Sequence, residues 1–554
     1  MEATDLPVNL LYWSLAAAPI IILLVLLVGL RWSATEAAPV GMFVAAAIAL
    51  IAFESPWETV AVAGGKGIWD AIFILLVVWP ALLLYRVGER AGAFNALREG
   101  IEKFSRNELF LVLAFGWVFA SFLQGIAGFG VPIAVVAPLL LALGVRPIYA
   151  VGIPLIGHAW ANMFGTLAVG WLATLQVVDL ENPVETAFQN AIMLWVPAIL
   201  AGFTIAWMYG KMPAIRNAWP MILIIAGVQG GLQLVLMLWD PILSTFLAAS
   251  AALLLLYPLS LWSRYDQPDE RITERPAMQE DDEEESEEAE EEREEAEEEP
   301  EPVMGLWMSL MPYAVLTVVT VVALAIPPIE EALETVEFGI PFPGTETGLG
   351  VENEAEDDFS PIAPLTHPGT FLLIGAAVGY VTYRSRGYYR RWEERAETEG
   401  IFSGLVGNAT PASIAIVAFL ITSALLDETG QIEVLAAGIA EVSPPVVFAF
   451  LANFIGVLGA FMTSSNTSSN ILFAPLQQTV AGAEGLSEAT IIAAQSTGGA
   501  VGNAIAPANV ALGTGTVGAS GKEGDVLRLT IPWAVATAVI TGGLSILMLG
   551  ITFL

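Results

Sequence analysis

The chain has 554 residues, 56% hydrophobic and 14% charged, with a mean hydropathy of +0.68; soluble domains carry roughly a quarter charged residues, so a water-soluble globular fold is excluded. Its formal charge of -36, from 57 acidic against 21 basic residues, disfavours nucleic acid or anionic lipid as a main partner. Cysteine is absent and histidine occurs only at His158 and His367, so disulfides are excluded, and neither a resident metal nor any other cofactor is expected.

The first apolar run, Asn9 to Leu30, follows an acidic leader with Glu2 and Asp5. It is too long, and lacks the basic start, for a cleavable signal peptide, so it predicts a retained first helix. Runs of about 20 apolar residues then recur to Leu554, about a dozen in all. The expected fold is an all-α polytopic membrane protein with about 12–14 transmembrane helices.

Short basic segments orient these helices. Arg31, then Arg86, Arg90, Arg98, Lys103 and Arg106, then Lys211 and Arg216, then Arg384, Arg386, Arg390, Arg391 and Arg395 mark cytoplasmic loops, which puts the N-terminus outside the cell membrane. Lysine stands only at 66, 103, 211 and 522, and so acidic a surface fits a halophilic source, where salt screens the repulsion.

Within an N-terminal membrane half, 1–262, the segment 108–141 must begin and end inside, so it reads as a re-entrant hairpin. Its middle, Gln124-Gly-Ile-Ala-Gly-Phe-Gly-Val-Pro132, breaks helices, and at membrane depth such backbone survives only against protein or a water-filled cavity. Residues 263–302, dominated by Glu and Asp, predict a disordered cytoplasmic linker. In the C-terminal half, 303–554, the acidic Gly- and Pro-rich stretch 327–368 predicts an external loop. A second hairpin, 444–482, enters from outside with Thr463-Ser-Ser-Asn-Thr-Ser-Ser-Asn470 at its turn.

The two regions align without a gap: Pro138 falls on Pro475, His158 on Gln495 and Gly165 on Gly502, a constant shift of 337. Hairpin, spacer and Gly-rich broken helix thus repeat in one order with opposite predicted orientation. Two such inverted repeats are the signature of secondary transporters, with the ligand held between the hairpin tips.

At those tips Gly125, Gly128, Phe129 and Gly130 would let a ligand approach the backbone, while Ser465, Asn466, Thr467, Ser468, Ser469 and Asn470 offer donors to carboxylate and hydroxyl oxygens. Polar residues wedged between apolar blocks argue against an ordinary surface loop, the other reading of this run. Gln495, Ser496, Thr497 and Asn503 are further site-lining candidates, whereas Gly498, Gly499 and Gly502 suit tight helix packing. His158, in apolar Gly157-His-Ala-Trp160, is either a functional titratable group or a neutral interhelical histidine. No G-x-S-x-G elbow appears and no acid stands beside His158 to orient it, so an intramembrane enzyme is not expected.

Two blocks give the sequence a family resemblance: Phe122-Leu-Gln-Gly-Ile-Ala-Gly-Phe-Gly-Val-Pro-Ile-Ala134, and Gly456-Val-Leu-Gly-Ala-Phe461 through Ser465-Asn-Thr-Ser-Ser-Asn-Ile-Leu-Phe473, Ser496-Thr-Gly-Gly499 and Gly518 to Gly521-Lys-Glu-Gly-Asp525. In these, and in their order over most of residues 9 to 554, the chain resembles the L-lactate permease family. The resemblance implies proton-coupled uptake of lactate and related 2-hydroxy monocarboxylates such as glycolate. In the family pattern an acidic residue commonly precedes the first glycine, where Gln124 stands here, and an amide does not titrate in this range. The coupling then falls to His158, or to sodium held by carbonyls and hydroxyls, or is absent. A sodium-coupled carboxylate carrier is the alternative, and the oligomeric state, a homodimer included, stays open.

Overall fold

The structure, a computed structural model, describes residues 6–103, 105–128, 130–279, 302–324, 326–396 and 399–550. Phe129 and the most acidic part of the predicted linker, 280–301, lie outside the described residues.

Nine helices among these are long and apolar enough to cross a membrane, or ten if a bent pair, Met311–Leu324 with Pro327–Glu334, counts as one span. The longest, Pro183–Met237, is interrupted where Gly210 and Lys211 leave helical geometry, and each side of that break is about 40 Å long at 1.5 Å per residue. Two of the nine are first arms of hairpins, and shorter helices complete these hairpins and two broken helices, so the candidate spans are fewer than the 12–14 read from the sequence because several apolar runs are broken or too short to cross on their own. The outer surface is apolar, with Ile51, Trp57 and Leu547 at least 70% exposed, while Asn190, Gln229, Gln233 and Asn453 are fully buried. This inversion of soluble-protein burial is what a lipid solvent selects.

The first hairpin joins Glu108–Ile126 to Val131–Ala142, and the second joins Pro445–Thr463 to Asn466–Glu484. Their first arms are 19 residues each and start and end at the shift of 337 found in the sequence. Each hairpin is followed by a broken helix, Pro147–Gly157 with Gly165–Leu175 and Glu488–Gly502 with Pro507–Thr516. The first arm of the first hairpin is wholly buried, with Phe115, Trp117 and Phe119 at 0% exposure, and it forms the centre of the molecule.

Small residues set the distances between these elements. A Cβ on Gly456 would overlap the Gln495 carbonyl, one on Gly498 the Asn453 carbonyl, and one on Gly502 the Val457 carbonyl. The second hairpin's first arm and Glu488–Gly502 therefore touch backbone to backbone, the packing role expected of Gly498 and Gly502.

Opposite ends of helix Trp57–Glu89 dock on different polar segments, each through a basic residue paired with glutamate. Near its start, Lys66 pairs with Glu356 at 2.8 Å and Glu428 at 2.6 Å, and Trp69 Nε1 donates to the Ser360 carbonyl. Near its end, Arg86 pairs with Glu399 and Arg90 with Glu393, in the segment that also carries Arg390 and Arg391. Twenty residues of helix, about 30 Å, separate the two ends, so the acidic insertion and the basic segment occupy opposite faces.

Two stretches are more ordered than the sequence suggests. The insertion 327–368 holds the helix Pro327–Glu334 and two small antiparallel sheets, one pairing Phe338–Phe342 with Glu356–Ile362. Its short apolar runs, Phe338-Gly-Ile-Pro-Phe342 and Phe359-Ser-Pro-Ile362, are partly buried strand sequence masked by the overall acidity. Residues 263–279, placed in the disordered linker, pack under the first hairpin: Arg275 pairs with Glu108 at 2.5 Å, Asn107 donates to the Gln267 carbonyl, and Tyr265 is 1% exposed. There Arg271 hydrogen-bonds Asp269 and holds its carboxyl down to about 2.

The glycine contact gives a direct check. Gly498→Ala should destabilise the protein by about 1–3 kcal/mol, because backbone carbonyl cannot move aside as a side chain can. Gly407→Ala, with open space at that Cβ, should be neutral or slightly stabilising. Thermal unfolding of both variants in detergent measures the difference.

Candidate functional site

Four helices end and four begin around one small cavity at the centre of the two repeats. Ile126, Gly157, Thr463 and Gly502 close their helices there; Val131, Gly165, Asn466 and Pro507 open theirs. Each opening brings the positive end of a helix dipole to the cavity; at Val131–Ala142 the Val131 and Ile133 amides are already taken by the Gly128 and Gly130 carbonyls, and at Pro507–Thr516 the Ala508 amide is taken by Ser464. The cavity volume is about 60 Å³; a water needs roughly 10–15 Å³ on the same scale, so the space suits a ligand of a few heavy atoms.

The first tip turns through Gly130, whose φ of 86° needs glycine, and helix Val131–Ala142 starts with proline in its first turn. Gly128 N–H donates to Thr166 Oγ1 at 2.8 Å, tying the tip to the first broken helix. Thr166, Leu167 and Ala168 all have left-handed backbone, φ 50° to 61°. Such geometry costs about 1–2 kcal/mol per residue. It persists here in a fully packed setting, and strain of this kind collects at ligand sites and switching segments.

The second tip is tighter than its sequence suggests. Only Ser464, at φ 55°, and Ser465 form the turn, and Asn466 to Asn470 already belong to the next helix. Ser465 caps that helix by accepting the Ser468 N–H at 3.2 Å. The polar run therefore reads as cap plus first turn: residues with short oxygen-bearing side chains compete well for helix starts.

Of the predicted residues, Gln124, Gly128, Gly130, His158, Ser465, Asn466, Thr467 and Asn503 line the cavity together. Seven described ones stand behind or beside it, among them Ser468, whose backbone N–H bonds the Ser465 cap. Gly125 packs on Phe246 of helix Pro241–Ser260, 3.0 Å from where its Cβ would be. Ser469 donates to the Gly456 carbonyl at 3.0 Å, and Gln495 donates to Ser469 Oγ at 3.1 Å and accepts from Gln477 at 2.5 Å. Asn470 faces the Met163 sulfur, Thr497 accepts from Asn190 at 2.8 Å, and the Ser496 hydroxyl is buried without a partner. These side chains hold the lining in place. They look outward from the tip because helical period carries every third or fourth residue to the far side.

Sequence reasoning passed over Asn162, Thr166, Val169, Ile133 and Asn509 as lining residues, and it placed Ser464 at the second turn without naming it a site residue. Asn162 stands four residues after His158 in the same apolar block, and that isolated polar residue was its available signal. It donates to the Ala500 carbonyl at 3.2 Å, joining the two repeats across the cavity. Asn509 donates to the Ser464 and Asn503 carbonyls at 3.5 and 3.3 Å, and Ala508 N–H donates to Ser464 Oγ at 3.3 Å.

His158 is the single ionisable side chain in the lining. It lies 2.5 Å from the Pro154 carbonyl through Nδ1. A carbonyl only accepts, so Nδ1 carries the hydrogen and Nε2 is the nitrogen left for a ligand. The lining is thus neutral amide, hydroxyl and backbone N–H around one imidazole.

The L-lactate permease family profile matches residues 14–552. The L-lactate permease of Salmonella typhi is 27% identical over 93% of this chain and 92% of its own length. The glycolate permease GlcA of Escherichia coli K12 is 26% identical over 96% and 94%. Among solved structures, the YdaH transporter of Alcanivorax borkumensis aligns over 89% of this chain and 88% of its own, at 16% identity and a TM-score of 0.43. The match over nearly every residue, hairpins and broken helices included, shows that this multi-pass membrane chain belongs to the L-lactate permease family.

Proposed function

We propose that the protein is a secondary transporter that imports L-lactate and related short 2-hydroxy monocarboxylates, glycolate among them, across the cell membrane by proton symport. The observation that carries this reading is the central cavity: built from both repeats, sized for a few heavy atoms, and fronted by four helix N-termini. Those N-termini favour one carboxylate without a buried arginine or lysine. The amides of Gln124, Asn162, Asn466 and Asn503 and the hydroxyls of Ser465 and Thr467 can bond the second carboxylate oxygen and the 2-hydroxyl. His158 Nε2 accepts from that hydroxyl when neutral and pairs with the carboxylate when protonated, which gives it a place in coupling.

Alternating access follows from the construction. Neither repeat encloses the ligand alone, so rocking one against the other opens the cavity first to one side and then to the other. The orientation carried forward from the basic segments puts the N-terminus outside and the acidic linker in the cytoplasm. The halophilic source is part of the same reading.

The four helix C-termini at the cavity favour a second reading, a sodium-coupled carboxylate carrier, since carbonyl oxygens suit hard cations. Uptake of labelled L-lactate into proteoliposomes at high salt separates the two. An inward proton gradient should drive accumulation and an inward sodium gradient alone should not; the reverse result transfers the coupling to sodium, and no uptake under either removes lactate as substrate.

Thr467→Ala and Asn466→Ala should each lower lactate uptake at least tenfold with expression unchanged, since a hydrogen bond to a charged group contributes about 1.5–3 kcal/mol. Ser496→Ala, outside the lining and without a hydrogen-bond partner, should transport within about twofold of the unmodified protein. Initial rates in the same vesicles check all three, and near-normal uptake by both tip variants would place the substrate elsewhere.

A further inference from the structure

A second, larger cavity of about 430 Å³ lies between helix Trp57–Glu89, helix Ile401–Glu428, the strand Glu356–Ile362 and the end of the first broken helix. Its charged lining is Lys66, Asp70, Asp179, Glu356, Asp427 and Glu428, five carboxylates against one ammonium. A space of that sign repels a monocarboxylate and concentrates cations. It therefore does a different job from the central cavity, whose lining is neutral apart from His158.

Lys66 is already engaged by Glu356 and Glu428. Asp70, one turn further along the same helix, is only 4% exposed, and its Oδ1 has no hydrogen-bond partner; Glu428 Oε2 is likewise buried and unpartnered. The groups facing Asp70 are Lys66 on its own helix, Glu356 and Ser360 on the strand, Asp427 and Glu428 on the neighbouring helix, and Asp179 beyond the broken helix. All but Lys66 and Ser360 are acidic. A buried carboxylate among like charges is not held as a free anion; it takes a proton or a cation. One buried, unpartnered oxygen on Asp70 asks for a single small occupant, and a proton bound to that oxygen needs no further ligands.

The first broken helix connects the two cavities. Thr166 and Val169 line the central one, and Leu175 and Gln176 line the acidic one. The nine residues from Thr166 to Leu175 span about 14 Å, with the strained left-handed turn at the substrate end and the unpartnered Gln176 Oε1 at the acidic end.

We propose that Asp70 is the proton acceptor of the transport cycle and that the acidic cavity is its entry vestibule, a deepening that rests on the symport reading. The Asp70 carboxylate takes a proton from hydronium in the vestibule, leaving water and a neutral carboxyl. It returns that proton to water after the repeats have rocked, so one proton crosses with one carboxylate. The broken helix, charged at neither end, transmits the change at Asp70 to the strained turn beside the substrate.

The test compares two readouts in proteoliposomes of the full-length chain: proton-gradient-driven accumulation of labelled L-lactate, and lactate counterflow, which needs no net proton movement. In Asp70→Asn the ratio of accumulation to counterflow should fall at least tenfold; an unchanged ratio overturns the proposal. Absence of counterflow in the unmodified protein would instead overturn the lactate reading itself. Should the variant misfold, dicyclohexylcarbodiimide labelling of the unmodified protein decides, because this reagent modifies protonated buried carboxyls. Peptide mass spectrometry should find Asp70 labelled, less so as pH rises. An unlabelled Asp70, or labelling suppressed by sodium at constant pH and ionic strength, overturns a proton site.

Discussion

An unpaired backbone amide or carbonyl in hydrocarbon costs several kcal/mol, yet eight helix ends meet at the centre of this molecule. Everything around the central cavity answers that constraint. Hydroxyls and carboxamides take up many of the freed groups: Thr166 takes the Gly128 amide, Ser465 the Ser468 amide, Ser464 the Ala508 amide, and Asn509 the Ser464 and Asn503 carbonyls. The amides still free at the helix starts face a space a few heavy atoms wide. A small anion with oxygens on adjacent carbons is the chemistry that would complete the set.

The same constraint explains why packing around the cavity depends on glycine. Helix ends can be brought together at the midplane only if the helices that carry them approach closely. Gly456, Gly498 and Gly502 allow backbone contact between the second hairpin and its broken helix, and Gly157 does so against Gly116 in the first repeat. Such contacts leave little room for gradual deformation. The proposed alternating access would then be rigid movement of one repeat against the other, with the left-handed turn at Thr166 to Ala168 as the place where strain is already stored.

Much of this was legible in the sequence because lipid makes polarity conspicuous. A run such as Thr463 to Asn470 between apolar blocks has few explanations, and the equal spacing of Pro138 and Pro475, or Gly165 and Gly502, exposed the repeat whose arms the structure bounds at the same shift. What stayed hidden is which side of a helix faces the cavity. Asn466 and Thr467 line it while Ser469 and Asn470 brace it from behind, a distinction set by helical phase after a turn whose length the residues leave open. Gln495 and Ser496 were chosen for polarity alone; Gln495 belongs to the bracing layer, and the Ser496 hydroxyl bonds nothing. The order in 263–279 and in the 338–362 sheets was masked by acidic composition, since a charge-rich segment reads as solvated even where Tyr265, or Phe342 against Gly65, anchors it.

Charge separates the two cavities by function. Apart from His158, the central one has no ionisable lining, so its preference for an anion comes from oriented dipoles that keep their sign at every pH and are little screened by salt once buried. The acidic one owes its preference to carboxylates, which repel the substrate and change state when a proton binds. In the proposed cycle, placing Asp70 about a helix length from the substrate, joined through Gly165–Leu175, would let a proton act without occupying space that the substrate needs. On the reading of a halophilic source this division has a further consequence: exposed charge would be screened, so the proposed coupling would reside in buried groups such as Asp70, at 4% exposure, and not in the surface acids that give the protein its net charge.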